Sequence, residues 1–247
     1  MRFLVVFTSL LFSILLAWSQ EKEINKESVL YIAPIYQYQV ALNDFKEDYG
    51  NASSVGMDLT YIFENNIYLS SSSSFSFSKN VNDTTILDHL MDDNRNIIDQ
   101  NGQYADVLLQ YRGWDTKLSL GYLFPILEQT SGILSYASLG FHQNKTRIDV
   151  RNGTVPQLNE DYKKMYDQLR DGFSSSLFVG YLHKKVDKKI HFYAGMEYTM
   201  ALSKNRRSYN YKHQGPYDKK YLDGFLNFKF GWIIPISKRS TREFYYF

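Results

Sequence analysis

From Tyr221 to Pro235, apolar and polar positions alternate with a period of two. Leu222, Gly224, Leu226, Phe228, Phe230, Trp232 and Ile234 share one face, and Tyr221, Asp223, Asn227, Lys229 and Gly231 occupy most of the other. A period of two belongs to a β-strand, and an apolar face backed by a polar one belongs to a strand lying between two different media. The apolar side is long and aromatic, more than a water-facing sheet needs.

The same alternation predicts seven earlier strands. The first, over 28–42, sets Leu30, Ile32, Tyr36, Tyr38 and Val40 outward, with Tyr31, Gln37 and Gln39 inward. The second, 53–63, points Val55, Met57 and Leu59 out and Gly56, Asp58 and Thr60 in. After a tight turn at 64–66 the third runs over 67–79, where Leu69, Phe75 and Phe77 keep the period through the run Ser70–Ser74. Serine runs usually mark flexible linkers, but the flanking phase here reads as strand. The fourth covers 104–124. Its downstream half alternates cleanly, but Val107, Leu109 and Tyr111 fall out of phase, so a β-bulge near Arg112-Gly113 is expected. The fifth (133–150), sixth (172–183) and seventh (188–204) follow, with His142, His191, Gly195, Glu197 and Thr199 inward.

Connections after strands two, four and six (64–66, 125–132 and 184–187) are short, and those after one, three, five and seven are long. Strands that alternate in this way, with short and long connections in turn, form a membrane barrel with short turns at one end and long loops at the other. The expected fold is therefore all-β: an eight-stranded antiparallel transmembrane β-barrel with long extracellular loops, both termini in the periplasm and a short periplasmic C-terminal tail. Two loop segments carry helical spacing, 83–98 and 159–170, the second with a stripe of Tyr162, Met165 and Leu169.

Composition narrows the class. Met1-Arg2, the apolar run 3–16 and Ala17-Trp18-Ser19 have the layout of a secretory signal peptide. This divides the chain into residues 1–19 as signal peptide, 20–236 as barrel and 237–247 as tail. The low mean hydropathy excludes a helical membrane protein and agrees with strands that hide half their residues in a polar lumen. Aromatic residues make up 17% of the chain, with 21 Tyr and 17 Phe, enough for girdles at both membrane interfaces. With no cysteine, neither a disulfide staple nor thiolate chemistry is available. A net charge of +2 gives no reason to expect a nucleic-acid partner.

Candidate chemistry follows from the inward positions. An eight-stranded ring has room inside only for side chains, so Asp58, Lys117, Glu197 and Lys229 are expected to form a lumen polar network in which each charge finds a partner. The segment Asp83, Asp88, Asp92, Asp93 and Asp99 has carboxylates suited to a hard cation, but its spacing matches no known loop and a solvated surface reads better. Lys204, Arg206, Arg207, Lys212, Lys219 and Lys220 make the last long loop basic and able to meet lipopolysaccharide phosphates. Ser174 or Ser176 with His142 and Glu197 is the nearest approach to a hydrolytic set, and no nucleophile motif supports it. Neither a cofactor nor a metal is expected.

Past Pro235 the chain turns basic and then aromatic, ending Glu243-Phe244-Tyr245-Tyr246-Phe247. A terminal Phe suits an assembly signal; exposed aromatics beside cations equally suit a docking tail. The terminal aromatic, the aromatic strands and the cleavage site resemble small outer-membrane β-barrels of the OmpA/OmpX-like group. Gln20-Glu21 and the ending from Gly231 through Pro235-Ile236 to Phe247 further resemble barrels of Bacteroidota. That group includes adhesins, anchors and subunits of envelope machines, and in the plain pattern the last strand itself ends the chain. The resemblance, with this departure, implies a non-enzymatic structural or accessory subunit of a larger outer-membrane complex in a Gram-negative bacterium, for secretion or envelope assembly. Its expected partners are outer-membrane lipid and outer-membrane or periplasmic proteins, met through the loops and the tail. The alternatives are a lipid-modifying enzyme or a narrow channel.

Overall fold

The computed structural model describes residues 28–128, 131–184, 191–211, 214–215 and 218–236. The segment read as a signal peptide and the tail with Glu243, Phe244, Tyr245, Tyr246 and Phe247 lie outside the described residues.

Eight antiparallel strands form a ring. They are β1 (Val29–Leu42), β2 (Ala52–Ile62), β3 (Ile67–Ser78), β4 (Val107–Glu128), β5 (Ser131–Val150), β6 (Arg170–His183), β7 (Phe192–Asn205) and β8 (Lys220–Trp232). Each pairs with the next in sequence, and β1 pairs back with β8 from Ile35↔Gly231 to Leu42↔Gly224. The same register resumes at Ile32↔Ile234 and Tyr31↔Pro235. The gap between the two stretches falls at Pro34, which has no N–H to give to the ladder.

Side-chain alternation follows the register. The serine run is strand, pairing Ser72 with Asp58 on one side and Lys117 on the other. Ser70, Ser72, Ser74 and Ser76 are buried, whereas Leu69, Phe75 and Phe77 are exposed. Outside, Leu118, Leu120, Leu139, Leu177, Val179 and Met196 make an exposed aliphatic band. Toward the short-turn end it is edged by touching rings: Tyr61 with Phe63, Tyr122 with Phe124, His183 with Phe192, and Phe192 with Phe230. Toward the long-loop end Phe75 contacts Phe77 and Trp114. An aliphatic belt between two aromatic girdles is the outer surface of a membrane-spanning barrel. No helix among the described residues is long and apolar enough to cross a membrane.

Three local expectations need correction. There is no bulge at Arg112-Gly113: β4 pairs with β5 without interruption from Val107 to Pro125, and Tyr111 turns inward to full burial. Val107 and Leu109 break the lipid-facing phase because they lie past the membrane belt, packed against the loops. The register shift sits at the other end, between Pro125 and Glu128, where both strands extend into the span 125–132 expected as the turn. In the 83–98 segment only Thr85–Leu90 is helical, as a 3-10 turn, and Ile97–Ile98 pairs instead with Tyr104–Ala105. The second loop helix, Glu160–Tyr166, is capped by Asn159, whose side chain accepts from the Asp161 and Tyr162 amides. It buries Tyr166 and leaves Tyr162 exposed. A further short helix not foreseen, Asn43–Asp48, follows β1 and buries Phe45.

Nitroxide labels placed singly along 226–230 in lipid bilayers should report hydrocarbon at 226, 228 and 230 and exclusion from it at 227 and 229. Uniform accessibility along this stretch would refute the register.

Candidate functional site

The interior is built in layers. At the short-turn end Tyr31, Tyr68, Leu123, Leu134, Tyr136, Phe178, Leu182 and Tyr193 are buried together with Ile233. Stacking fills the width: Tyr68 lies over Tyr136 with centroids 5.2 Å apart, and Tyr136 over Phe178 at 4.5 Å. Glycine makes room for these rings. A Cβ on Gly231 would stand 2.2 Å from Cε1 of Tyr193, and one on Gly180 would stand 2.5 Å from Cζ of Phe178.

Above this layer lies an ionic tier. Lys117 Nζ donates to Glu197 Oε1 at 2.7 Å and to Thr199 Oγ1 at 3.1 Å, and lies 3.5 Å from Asp115 Oδ1. Lys229 Nζ lies 2.9 Å from Asp58 Oδ2 and donates to the Tyr136 hydroxyl at 3.1 Å. Tyr136 in turn donates to Glu197 Oε2 at 3.2 Å, and Tyr193 donates to Asp58 Oδ2. The structure thus brings Asp58, Lys117, Glu197 and Lys229 into one network, two acids against two bases, all buried. Asp115 and His142, 3.1 Å apart, extend it, and sequence spacing did not single out Asp115. Only the pairing of β4 with β5, which sets Asp115 opposite His142, reveals it.

A third layer closes the long-loop end. Phe45, Tyr49, Tyr111 and Phe225 form an aromatic cluster, with Phe45–Phe225 centroids 4.5 Å apart. Threaded through it, Arg170 reaches Asp48 Oδ2 at 2.5 Å and Asp223 Oδ1 at 3.0 Å. Asp223 Oδ2 also accepts from Ser203 at 2.6 Å and Asn144 at 3.2 Å. Burial raises the Asp48 carboxyl above its usual range, against the pull of Arg170.

The four long loops then interlock into a cap. Ile86, Leu87, Ile97, Val155, Leu158 and Tyr166 share an apolar core with Ile148 of β5. Tyr166 stacks on His89 and on Tyr211, and its hydroxyl lies 2.7 Å from His89 Nε2. Arg207 grips Asp167 through two nitrogens, Arg206 donates to Asp171, Gln168 donates to Asp83 at 3.0 Å, and the Leu222 amide donates to Asp44 at 2.7 Å. Two cations of the basic loop are therefore neutralised, and Lys219 lies over the Tyr221 ring. The acidic segment is occupied with its own backbone. Asp92 accepts from the Asn94 and Asn96 amides, and Asp99 from those of Asn101 and Gln103. These bonds hold the Asp99 carboxyl below its ordinary pKa. No cluster able to hold a metal occurs among the described residues.

The hydrolytic grouping does not assemble. Glu197 is bound to Lys117, His142 faces Asp115, and the Ser174 and Ser176 hydroxyls have no hydrogen-bond partner among the described residues. All lie within the filled lumen.

A closed antiparallel ring with a lipid-facing belt and a polar, filled interior defines the protein as an outer-membrane β-barrel. No protein-family model matches the chain, and no curated protein matches it. Its structure is similar to the crystal structure of Ail, the attachment invasion locus protein of Yersinia pestis, at 8% identity and a TM-score of 0.41, over 85% of this chain and 100% of that one. It is also similar to the neisserial surface protein A, NspA, at 12% identity and a TM-score of 0.38, over 83% and 98% of the two chains. A third similar structure is the outer membrane protein AlkL in lipid bilayers, at 11% identity and a TM-score of 0.42, over 90% and 97%.

Lys229→Ala should leave the Asp58 carboxylate buried and unpaired, at a cost of about 3–5 kcal/mol, while Asp58→Leu with Lys229→Met should cost much less. Urea unfolding of the refolded barrel, read by heat-modifiable migration, distinguishes them; equal midpoints for Lys229→Ala and the native protein would refute the pairing. A second expectation concerns acid. Partial desolvation beside Tyr166 and Tyr211 lowers the pKa of His89 from its ordinary value, against the opposing charge of Asp88. The stabilisation this gives is complete above the unfolded value, about 6.5, and declines as pH falls through the lower folded value. Hydrogen exchange in 85–91 and 160–166 should accelerate between pH 7.5 and pH 5, and His89→Gln should remove the added acid sensitivity. Identical exchange in the native protein at both pH values would be the contrary result.

Proposed function

We propose that this protein is a non-enzymatic, non-conducting barrel of the Gram-negative outer membrane, acting as a structural or accessory subunit of an envelope complex. Secretion or assembly machinery is the setting this reading favours. The observation that carries it is the layered interior: an aromatic plug, a paired ionic tier, a second aromatic layer and an interlocked cap stand one behind another. This arrangement leaves the work to surfaces. Cross-bracing among all four long loops holds the cap in one shape, and a rigid surface loses less entropy on binding a partner than a mobile one. With the loops outside and both termini in the periplasm, the cap and the Glu243–Phe247 tail offer contacts on opposite sides of the membrane.

Purified protein in planar bilayers should be electrically silent, and discrete conductance steps would remove the non-conducting reading. A photo-crosslinker at position 244 or 246, or at exposed position 162, should trap a specific protein from native membranes. The same label at lipid-facing position 139 should not. Identical crosslinking profiles at all four positions would overturn the subunit role.

A further inference from the structure

The outer wall of the barrel is dented. On β5 and β6 the outward positions Ala137 and Ser175 are small, while their neighbours Leu118, Leu120, Leu139 and Leu177 are large and exposed. The register makes this a single depression. Leu120 stands opposite Ala137, and Ala137 opposite Leu177; Leu118 stands opposite Leu139, and Leu139 opposite Ser175. Long side chains therefore ring two short ones, leaving an apolar groove of about 770 Å³. It lies in the aliphatic belt, so its natural surroundings are hydrocarbon.

A cationic group lies on the same wall toward the loops. Arg112 stands opposite Lys145, and Arg147 follows two residues along the same face of β5. Arg112 is spent in part on the Tyr111 carbonyl and the Gln110 side chain. Lys145 and Arg147 are exposed and have no carboxylate partner among the described residues. Asp149 is the acid nearest them along the strand. From Arg112 to Leu118, and from Leu139 to Lys145, is six residues. That is about 20 Å along a strand, or about 15 Å along the axis of a barrel whose strands tilt by roughly 40°. A leaflet is about 15 Å deep, half of a core about 30 Å thick.

We propose that this wall is a lipid-binding site for a phosphorylated, multiply acylated lipid of the loop-side leaflet. Arg112, Lys145 and Arg147 take the phosphates, and an acyl chain lies in the groove over Ala137 and Ser175. Charge complementarity selects the head group, because three cations clustered at an interface with so little counter-charge favour a multiply charged anion. Shape selects the chain, because a saturated chain seated in a dent gains contacts that a flat wall does not offer. The proposal rests on the membrane-spanning barrel and not on the subunit role, and its test involves no protein partner.

Native mass spectrometry of the full chain refolded in detergent provides the test, with bisphosphorylated lipid A, phosphatidylglycerol and phosphatidylcholine as probes. One lipid A adduct should survive activation that strips phosphatidylcholine. Arg112→Gln, Lys145→Gln and Arg147→Gln together should lower its retention at least about tenfold. Ala137→Phe with Ser175→Phe, which fills the groove and leaves the cations, should lower it severalfold. Both variants alter outward side chains, and heat-modifiable migration checks that each has folded. Should the doubly filled variant fail that check, Ala137→Leu alone occupies the dent with a side chain this wall already carries. Retention of lipid A at the native level in either the triple or the groove-filled variant would overturn the proposal. Equal retention of phosphatidylcholine by the native protein would do so too.

Discussion

The structure depends on the closure of β1 onto β8. In hydrocarbon no water is present to satisfy a backbone N–H or C=O, so a sheet survives there only without edges. Pairing from Leu42 down to Ile35, then again at Ile32 and Tyr31, removes the last edge. Pro34 is tolerated at this seam because the ladder resumes beyond it. Closure also fixes the interior. Eight strands leave no room for bulk water, so each inward charge must meet an opposite charge across the lumen, and each gap must hold a ring or a glycine.

These demands produce the vertical order of the lumen. Charges occupy the middle tier, where Asp58, Glu197, Lys117 and Lys229 lie within reach of one another. Aromatic layers on either side exclude water and lower the local dielectric, which strengthens the paired contacts and penalises any unpaired charge. Two lumen hydroxyls, Ser54 and Ser174, find no hydrogen-bond partner among the described residues. Above, Arg170 joins the β1–β2 loop to β6 and β8 through Asp48 and Asp223, so the second ionic contact is also the anchor of the cap.

The strands were legible because the bilayer imposes the cleanest of all alternations: hydrocarbon outside, side chains inside. The same logic misleads where the bilayer ends. Val107 and Leu109 are apolar for the sake of the loop core, and reading them as lipid-facing demands a bulge at Arg112-Gly113 that does not exist. The helix at Asn43–Asp48 has too few turns to show a period, and Phe45 is buried only because Tyr111 and Phe225 come from strands far along the chain. Phe225 itself sits on the polar face, where alternation alone expects hydrophilic residues. Inward charges could be named from phase; which acid meets which base could not, because that depends on barrel shear. The pair of Arg112 with Lys145 was hidden for a related reason, since cross-strand neighbours are distant in sequence.

The cap is assembled from contacts of very large sequence separation. Asp48 meets Arg170, Tyr49 meets Thr146, and Asp44 meets Leu222. The last of these spans the seam where β8 meets β1, and the other two tie the first long loop to β5 and β6 across the mouth. The cap is thus complete only when the ring is, and a probe that recognises its folded shape tells a closed barrel from an open one.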